Sequence, residues 1–123
     1  MIEIPRNFPF TKLKISRSET LIWTGYNPTF HRFLVYGLAI SDMALYVCSR
    51  AWIFANWKRY PISEISDISV DPENLRPALR FRAGGNRIVF RTPSDVHERE
   101  AEFDRSVLRK AAEVLKTIRE GIS

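Results

Sequence analysis

The residues best suited to acid–base or nucleophilic chemistry are few and scattered along this 123-residue chain. They are His31, His97, Asp42, Glu64 and Cys48. The two histidines are far apart in sequence, and neither has the spacing of a metal-binding pair or of a catalytic triad. Only the fold could assemble these groups into one site, and no reaction can be named from them. The sequence therefore predicts a protein that is not an enzyme and that uses neither a metal nor a cofactor.

Cys48 and the Gly84-Gly85 pair both have simple structural interpretations. A single cysteine cannot form an internal disulfide or a multi-cysteine zinc site. Between Val47 and Ser49 it is most simply a small, inert core residue, although Arg50 is near enough in sequence to activate it. The two glycines lack the lysine, the serine or threonine and the following helix of a phosphate-binding loop. We interpret them as a hairpin turn.

One combination of residue types favours binding, namely aromatic and basic side chains concentrated on two segments. The candidate interaction surface comprises Trp52, Trp57, Lys58, Arg59 and Tyr60 on the first segment and Arg80, Arg82, Arg87 and Arg91 on the second. Strand alternation would place Trp52 and Trp57 on opposite faces, so at least one of them is expected to be exposed or to meet a partner.

Two predicted hairpins position much of this surface. In the first, residues 37–40 and 45–48 flank a turn at Ser41-Asp42. In the second, residues 79–82 and 88–91 flank residues 83–86, whose glycines can adopt the positive φ of a tight turn. Alternation in the second hairpin predicts a core face with Leu79, Phe81, Ile88 and Phe90, and an opposite face with Arg80, Arg82 and Arg91 beside Val89.

The remaining segments predict further short strands and an N-terminal arm. Residues 19–23, 30–36 and 51–60 are short apolar or aromatic runs, whereas 62–70 is ambiguous between a strand and a helical turn. Leu13 and Ile15 alternate with lysines as a half-buried edge strand would. We expect residues 1–18 to form an arm or edge strand and residues 19–123 to form the main part of a single domain.

One long amphipathic helix is predicted at the C-terminal end. Asp95 followed by Glu98 has the spacing of a capping box, and Gly121 is a suitable residue just beyond the helix end. Phe103, Val107, Ala111, Val114 and Ile118 form an apolar stripe together with Leu108 and Leu115, while Arg105 lies largely off it. Such a stripe normally packs over a sheet or the open end of a barrel.

Composition restricts the class of protein and the kind of partner. The chain is 45% hydrophobic, which suffices for a core, and its net charge is +5, which favours acidic partners, nucleic acid or anionic membrane surfaces. Residues 33–48 are the most apolar window, too short and too polar for a membrane span of roughly 20 residues. The N-terminus lacks the pattern of a signal peptide. We therefore expect a cytoplasmic protein without a transmembrane segment, with a peripheral position at the membrane as the alternative.

Three stretches together resemble a known family. A lone glutamate precedes the first predicted strand, the hairpin reads GLAISDMALYV over residues 37–47, and residues 59–65 read RYPISEI. The order of these motifs, followed by a last hairpin and a helix, resembles pleckstrin-homology-like domains, more narrowly the GRAM and bacterial pleckstrin-homology groups. The resemblance covers roughly residues 19–120, with Ser41 where threonine is usual.

This resemblance implies a mostly β fold, namely a partly open seven-stranded barrel with one end capped by the amphipathic helix. Such barrels bind lipid head groups, peptides or proteins, and they are rarely catalysts. In members that bind phosphoinositides the ligand lies at the first hairpin loop. Here that loop is centred on Ser41-Asp42 and carries an acid, so this resemblance does not support a phosphoinositide site.

Three functions remain open from the sequence. The first is an interaction module that binds a protein partner or a second copy of itself through an exposed strand edge. The second is peripheral binding to anionic lipid through the arginine face. The third, less favoured, is binding of single-stranded nucleic acid, with Trp57 or Tyr60 stacking on bases.

Overall fold

The computed structural model describes residues 2–6, 9–27, 36–49 and 56–122. Within them, seven strands precede one helix: β1 Leu21–Gly25, β2 Gly37–Ser41, β3 Ala44–Cys48, β4 Lys58–Pro61, β5 Ile65–Val70, β6 Ala78–Ala83, β7 Asn86–Arg91 and α1 Arg99–Ile122. Short 3-10 turns lie at Phe10–Lys12 and Ile62–Glu64, so the ambiguous stretch 62–70 is a helical turn followed by a strand. The predicted fold class, mostly β with one C-terminal helix, is confirmed.

The strands form two antiparallel sheets. The first has the order β1-β2-β3-β4 and the second the order β5-β6-β7. Both predicted hairpins are present, and in the second Leu79 pairs with Phe90 and Phe81 with Ile88. The turn glycines Gly84 and Gly85 have φ of 58° and 88°, as a two-residue hairpin turn requires.

The two sheets and α1 share one hydrophobic core. Its buried side chains come from the first sheet, the second sheet and the helix, for example Leu38, Leu45, Leu79, Leu108 and Leu115. The rings of Tyr60 in β4 and Phe81 in β6 meet edge to face with centroids 5.2 Å apart. Among the described strands no hydrogen-bonded pairing joins the two sheets, so they enclose this core without forming a closed barrel.

The N-terminal segment covers the other face of the first sheet. Phe10 and Leu13 are buried there in a second cluster with Ala39, Ala44 and Tyr46. Residues 9–20 contain the 3-10 turn and no strand, so the predicted edge strand at Leu13 and Ile15 is not formed. Side-chain packing against the sheet face, rather than backbone pairing at an edge, orders this segment.

The helix begins later and ends later than the sequence predicts. The Asp95 carboxylate accepts a hydrogen bond from the adjacent Val96 amide at 2.6 Å and does not cap the helix. The Glu98 amide donates to the Asp95 carbonyl oxygen at 3.1 Å and so closes a turn before the helix. The helix starts at Arg99. Gly121 lies inside α1 and is not among the residues with positive φ, so it is not a left-handed C-terminal cap.

Two helix residues lie on unexpected faces. Phe103 belongs to the predicted apolar stripe but is 44% exposed, whereas Arg105, expected off the stripe, is buried. Arg105 Nη2 donates hydrogen bonds to the carbonyl oxygens of Glu73, at 3.3 Å, and Leu75, at 2.9 Å. The loop before β6 supplies these acceptors, and the sequence of the helix alone contains no sign of them.

No helix in the described part of the chain has both the length and the apolar character needed to cross a membrane. Residues 28–35 and 50–55, which include His31, Arg50, Trp52 and most of the predicted apolar runs 30–36 and 51–60, lie outside the described residues.

Candidate interaction site at the edge of the second sheet

Two of the predicted surface arginines are already paired with acids. Arg80 Nε and Nη2 donate to the two carboxylate oxygens of Asp71 at 2.7 and 3.1 Å. This hydrogen bonding and the carboxylate charge raise the pKa of Arg80. Arg82 Nε lies 3.4 Å from an oxygen of Asp67. Asp67 sits at an irregularity of β5 with φ of 53°, a conformation that aspartate tolerates better than most residues. The arginine face is therefore partly neutralised.

Arg59 lies at a third acidic site, on the outer face of the first sheet. The Glu19 side chain is only 1% exposed and accepts hydrogen bonds from Ser41 Oγ at 2.7 Å and Tyr46 OH at 2.6 Å. Arg59 Nη2 lies 3.4 Å from the same carboxylate, and Arg59 Nε donates to Tyr46 OH at 3.3 Å. Burial raises the pKa of Glu19, but these hydrogen bonds and the arginine charge lower it below its ordinary value overall.

Trp57 contacts the N-terminal segment. Its Nε1 donates to the Pro9 carbonyl oxygen at 3.0 Å, and its ring lies 5.3 Å from that of Phe10. Both rings lie over Gly37, where an added Cβ would come within 2.8 Å of Trp57. Trp57 is accordingly half-buried.

Lys58, Arg87 and Arg91 differ from the three arginines that lie beside acids. All three are exposed, and within the described parts of the chain their side chains have no ion pair or hydrogen bond. Arg87 lies directly opposite Arg82 in the β6–β7 register, on the exposed face. Like charges in this position destabilise a sheet, and within the described residues Asp67 forms an ion pair with Arg82 but none with Arg87. An anion bound beside Arg87 would therefore relieve a repulsion.

A groove runs between the two sheets beside these cations. We call it the edge groove; it has a volume of about 430 Å³, and its walls include Val47, Lys58 and Tyr60 from the first sheet and Arg87, Ile88 and Val89 from the second. Arg87, Ile88 and Val89 also border a depression of about 310 Å³ on the outer face of the second sheet. The first half of β7 is therefore accessible from both sides.

The nine predicted surface residues thus separate into groups. Lys58, Tyr60 and Arg87 meet at the edge groove, and Arg91 follows on the same exposed face of β7 as Arg87. Arg80 and Arg82 are paired with acids, Arg59 and Trp57 contact the N-terminal half of the chain, and Trp52 lies outside the described residues.

A buried carboxylate at Asp104 is absent from the sequence-based predictions. It is fully buried, and its Oδ1 accepts hydrogen bonds from Asn27 Nδ2 at 3.1 Å and Tyr36 OH at 2.7 Å, while its Oδ2 accepts one from Ser94 Oγ. Burial, then the bond to Asp104, raise the pKa of Tyr36, so its hydroxyl stays a donor. One signal could have revealed the site, because Asp104 shares the helical spacing of Leu108, Ala111 and Leu115 and so falls on the core face.

Among the described residues, the groups considered for catalysis do not assemble, and His31 lies outside that part of the chain. Asp42 accepts a hydrogen bond from the Thr20 amide at 2.8 Å and so closes a loop, while Glu64 and His97 are exposed on separate elements. Among the described residues no three histidine, cysteine, aspartate or glutamate side chains cluster as metal ligands would.

Cys48 is expected to be unreactive in the folded protein. It is buried, and burial raises its pKa to about 11 although a hydrogen bond from the Asn56 backbone lowers it. The thiolate fraction near pH 8 is then roughly 100-fold below that of an ordinary cysteine. Ellman's reagent should label the native protein at least about 100-fold more slowly than the urea-unfolded chain. Rapid labelling of the native state would contradict the buried position.

Comparison with protein-family models, with curated proteins and with solved structures finds no match to this chain.

Proposed function

We propose that this chain is a non-catalytic, pleckstrin-homology-like binding module whose partner is an acidic segment of a protein. The order of elements supports this proposal, since four antiparallel strands, three antiparallel strands and a C-terminal helix around one core are the parts that a partly open barrel of that type requires. The edge groove would be the opening of the barrel.

One observation carries the choice of an acidic partner. Arg59, Arg80 and Arg82 each have a carboxylate within ion-pair distance, whereas Lys58, Arg87 and Arg91 have none within the described residues. These three cations lie on β4 and β7, which border the edge groove from the first and the second sheet respectively. Exposed cations on a protein surface attract acidic partners and raise their association rate.

A protein partner fits this surface better than a membrane or nucleic acid. Asp67 and Asp71 stand on the arginine face and weaken its attraction for a flat anionic surface. Trp57 is half-buried against Phe10, and Tyr60 packs against Phe81, so neither ring is free for base stacking in the way that single-strand binding requires.

Charge reversal at β7 tests the proposal. The double variant Arg87→Glu/Arg91→Glu should bind a short fluorescein-labelled polyglutamate peptide about tenfold more weakly than the wild type, since each ion pair is worth up to about 1 kcal/mol. The measurement is fluorescence anisotropy at low and at physiological salt. The wild-type affinity should fall as salt rises.

The matched control is Lys12→Glu/Lys14→Glu, which changes the net charge equally at two exposed lysines on the N-terminal segment. It should retain most of the affinity. Equal losses in both variants would mean that only the net charge matters and would contradict a site at β7. A third outcome is that the wild type sediments with phosphatidylserine vesicles, the variant Arg87→Glu/Arg91→Glu does not, and neither binds the peptide. The protein would then be a peripheral membrane module.

A further inference from the structure

The open side of β7 has a defined pattern of backbone groups. Ala83 and Asn86 flank the two-residue Gly84-Gly85 turn as a directly opposed pair. In such a hairpin this pair exchanges both hydrogen bonds, and every second pair after it does the same. The Thr92 amide donates to the Pro77 carbonyl oxygen at 3.3 Å, which continues that series.

The alternate residues of β7 therefore point their backbone away from β6. These are Arg87, Val89 and Arg91, whose amide and carbonyl groups face the open edge. Among the described strands β7 pairs with β6 alone. An edge with free backbone donors and acceptors is a template on which another extended segment can add as a strand.

The side chains of the same three residues define what the added segment must carry. Arg87, Val89 and Arg91 share the exposed face of the second sheet, and Val89 is 42% exposed. Arg87 and Arg91 stand about 13 Å apart along an extended strand. The sequence along this edge is cation, apolar, cation, so complementary cross-strand partners would be acid, apolar, acid.

The two intervening positions of an added strand would point towards the edge groove. Ile88 is half-buried and lines this groove together with Val47 and Tyr60. Small or β-branched apolar side chains suit such a surface.

We propose that the acidic segment is bound as a β-strand beside β7, with two acidic residues four positions apart and an apolar residue midway between them. The proposal rests on the proposed function, because it specifies how the acidic partner is held. The pattern is the same when read in either direction, so it serves a parallel or an antiparallel strand.

A second copy of this chain is a poor occupant of the same edge. Antiparallel pairing of two β7 strands about Val89 would place Arg87 of one copy opposite Arg91 of the other. Like charges in directly opposed positions destabilise a sheet, and arginines at an edge discourage self-pairing for this reason. An acidic segment neutralises the same residues.

The test compares two labelled peptides of identical composition. One has the core Glu-Val-Val-Val-Glu and the other Val-Glu-Val-Glu-Val, each between Gly-Ser flanks. Acids two positions apart can reach only one of the two arginines, so the first peptide should bind at least about tenfold more tightly. In antiparallel addition the central residue donates its amide to Val89, so N-methylation there removes a strand hydrogen bond, keeps the charge and should weaken binding by a similar factor. In parallel addition the following residue donates instead, and N-methylation of that residue should have the same effect.

Two readouts distinguish strand addition from simple charge attraction. In the ¹⁵N-labelled full chain, the first peptide should slow amide exchange at Arg87, Val89 and Arg91. The variant Arg87→Glu/Arg91→Glu should no longer bind that peptide. It should instead bind a peptide of reversed charge with the core Lys-Val-Val-Val-Lys.

The outcomes separate this inference from the proposed function. If polyglutamate binds through Arg87 and Arg91 but the two patterned peptides bind equally and the β7 amides stay unprotected, the partner is acidic but is not an added strand. If no acidic peptide binds, the proposed function fails as well. A dimer in light scattering that is lost in Val89→Lys would identify a second copy as the occupant and overturn the inference.

Discussion

Replacing Asp104 by alanine is expected to lower the free energy of unfolding by at least about 3 kcal/mol, because it removes the buried carboxylate to which three side-chain donors are hydrogen-bonded. These donors are Asn27 Nδ2, Tyr36 OH and Ser94 Oγ. A loss of that size is a large part of the roughly 5 to 15 kcal/mol that stabilises a typical domain. Urea unfolding followed by tryptophan fluorescence measures it.

The conservative variant Asp104→Asn separates hydrogen bonding from charge. The amide oxygen can still accept from Tyr36 and Asn27, and the Ser94 hydroxyl can accept from the new amide group. It should therefore be more stable than the alanine variant. Glu102→Ala, at an exposed position of the same helix, should change stability by no more than about 0.5 kcal/mol. A fully stable Asp104→Ala protein would show that this carboxylate does not hold the structure together.

Replacing Glu19 by alanine should cost about 3 kcal/mol, since it leaves the Tyr46 and Ser41 hydroxyls without the buried carboxylate. Arg59 adds little to this figure, because its side chain is 43% exposed and solvent screens its charge. Glu19→Gln keeps one acceptor oxygen and should cost less. Both variants are compared with the wild type by urea unfolding at neutral pH.

The contribution of Glu19 should also depend on pH. Its pKa in the folded protein lies below its ordinary value of 4.5, so the folded state binds its proton more weakly than the unfolded chain does. The stabilisation is therefore fully present above about pH 4.5 and is lost as the pH falls through the lowered folded pKa.

The stability difference between the wild type and Glu19→Gln should shrink over that acidic range, because glutamine does not titrate. Circular dichroism during urea unfolding at a series of pH values measures this difference. A difference that stayed constant down to pH 2 would contradict the assignment of the titrating group to Glu19.

Much of the second hairpin follows from the sequence. Alternation from Leu79 to Phe90 and the glycine pair specify the strand period and the turn, and these two properties depend on neighbouring residues alone. The face that carries Arg80, Arg82 and Arg91 was predicted correctly for the same reason.

Whether an arginine on that face forms an ion pair depends on the tertiary structure. Asp67 lies on β5 and Asp71 just after it, both outside the hairpin. At the irregularity of β5, Asp67 reaches Arg82, while Arg87 has no acid within the described residues. No spacing rule within residues 79–91 contains this information.

The sequence by itself determined the fold class, the hairpins, the approximate extent of the C-terminal helix and the types of residue available for binding. It could do so because strand and helix periods and turn residues depend on neighbouring residues. Only the tertiary structure decided which cations keep their charge unpaired, that Trp57 holds the N-terminal segment, and that Glu19 and Asp104 are buried acceptors. Each of these depends on residues far apart in the chain, such as Asn27 and Asp104, that meet only when both sheets and the helix pack around the core.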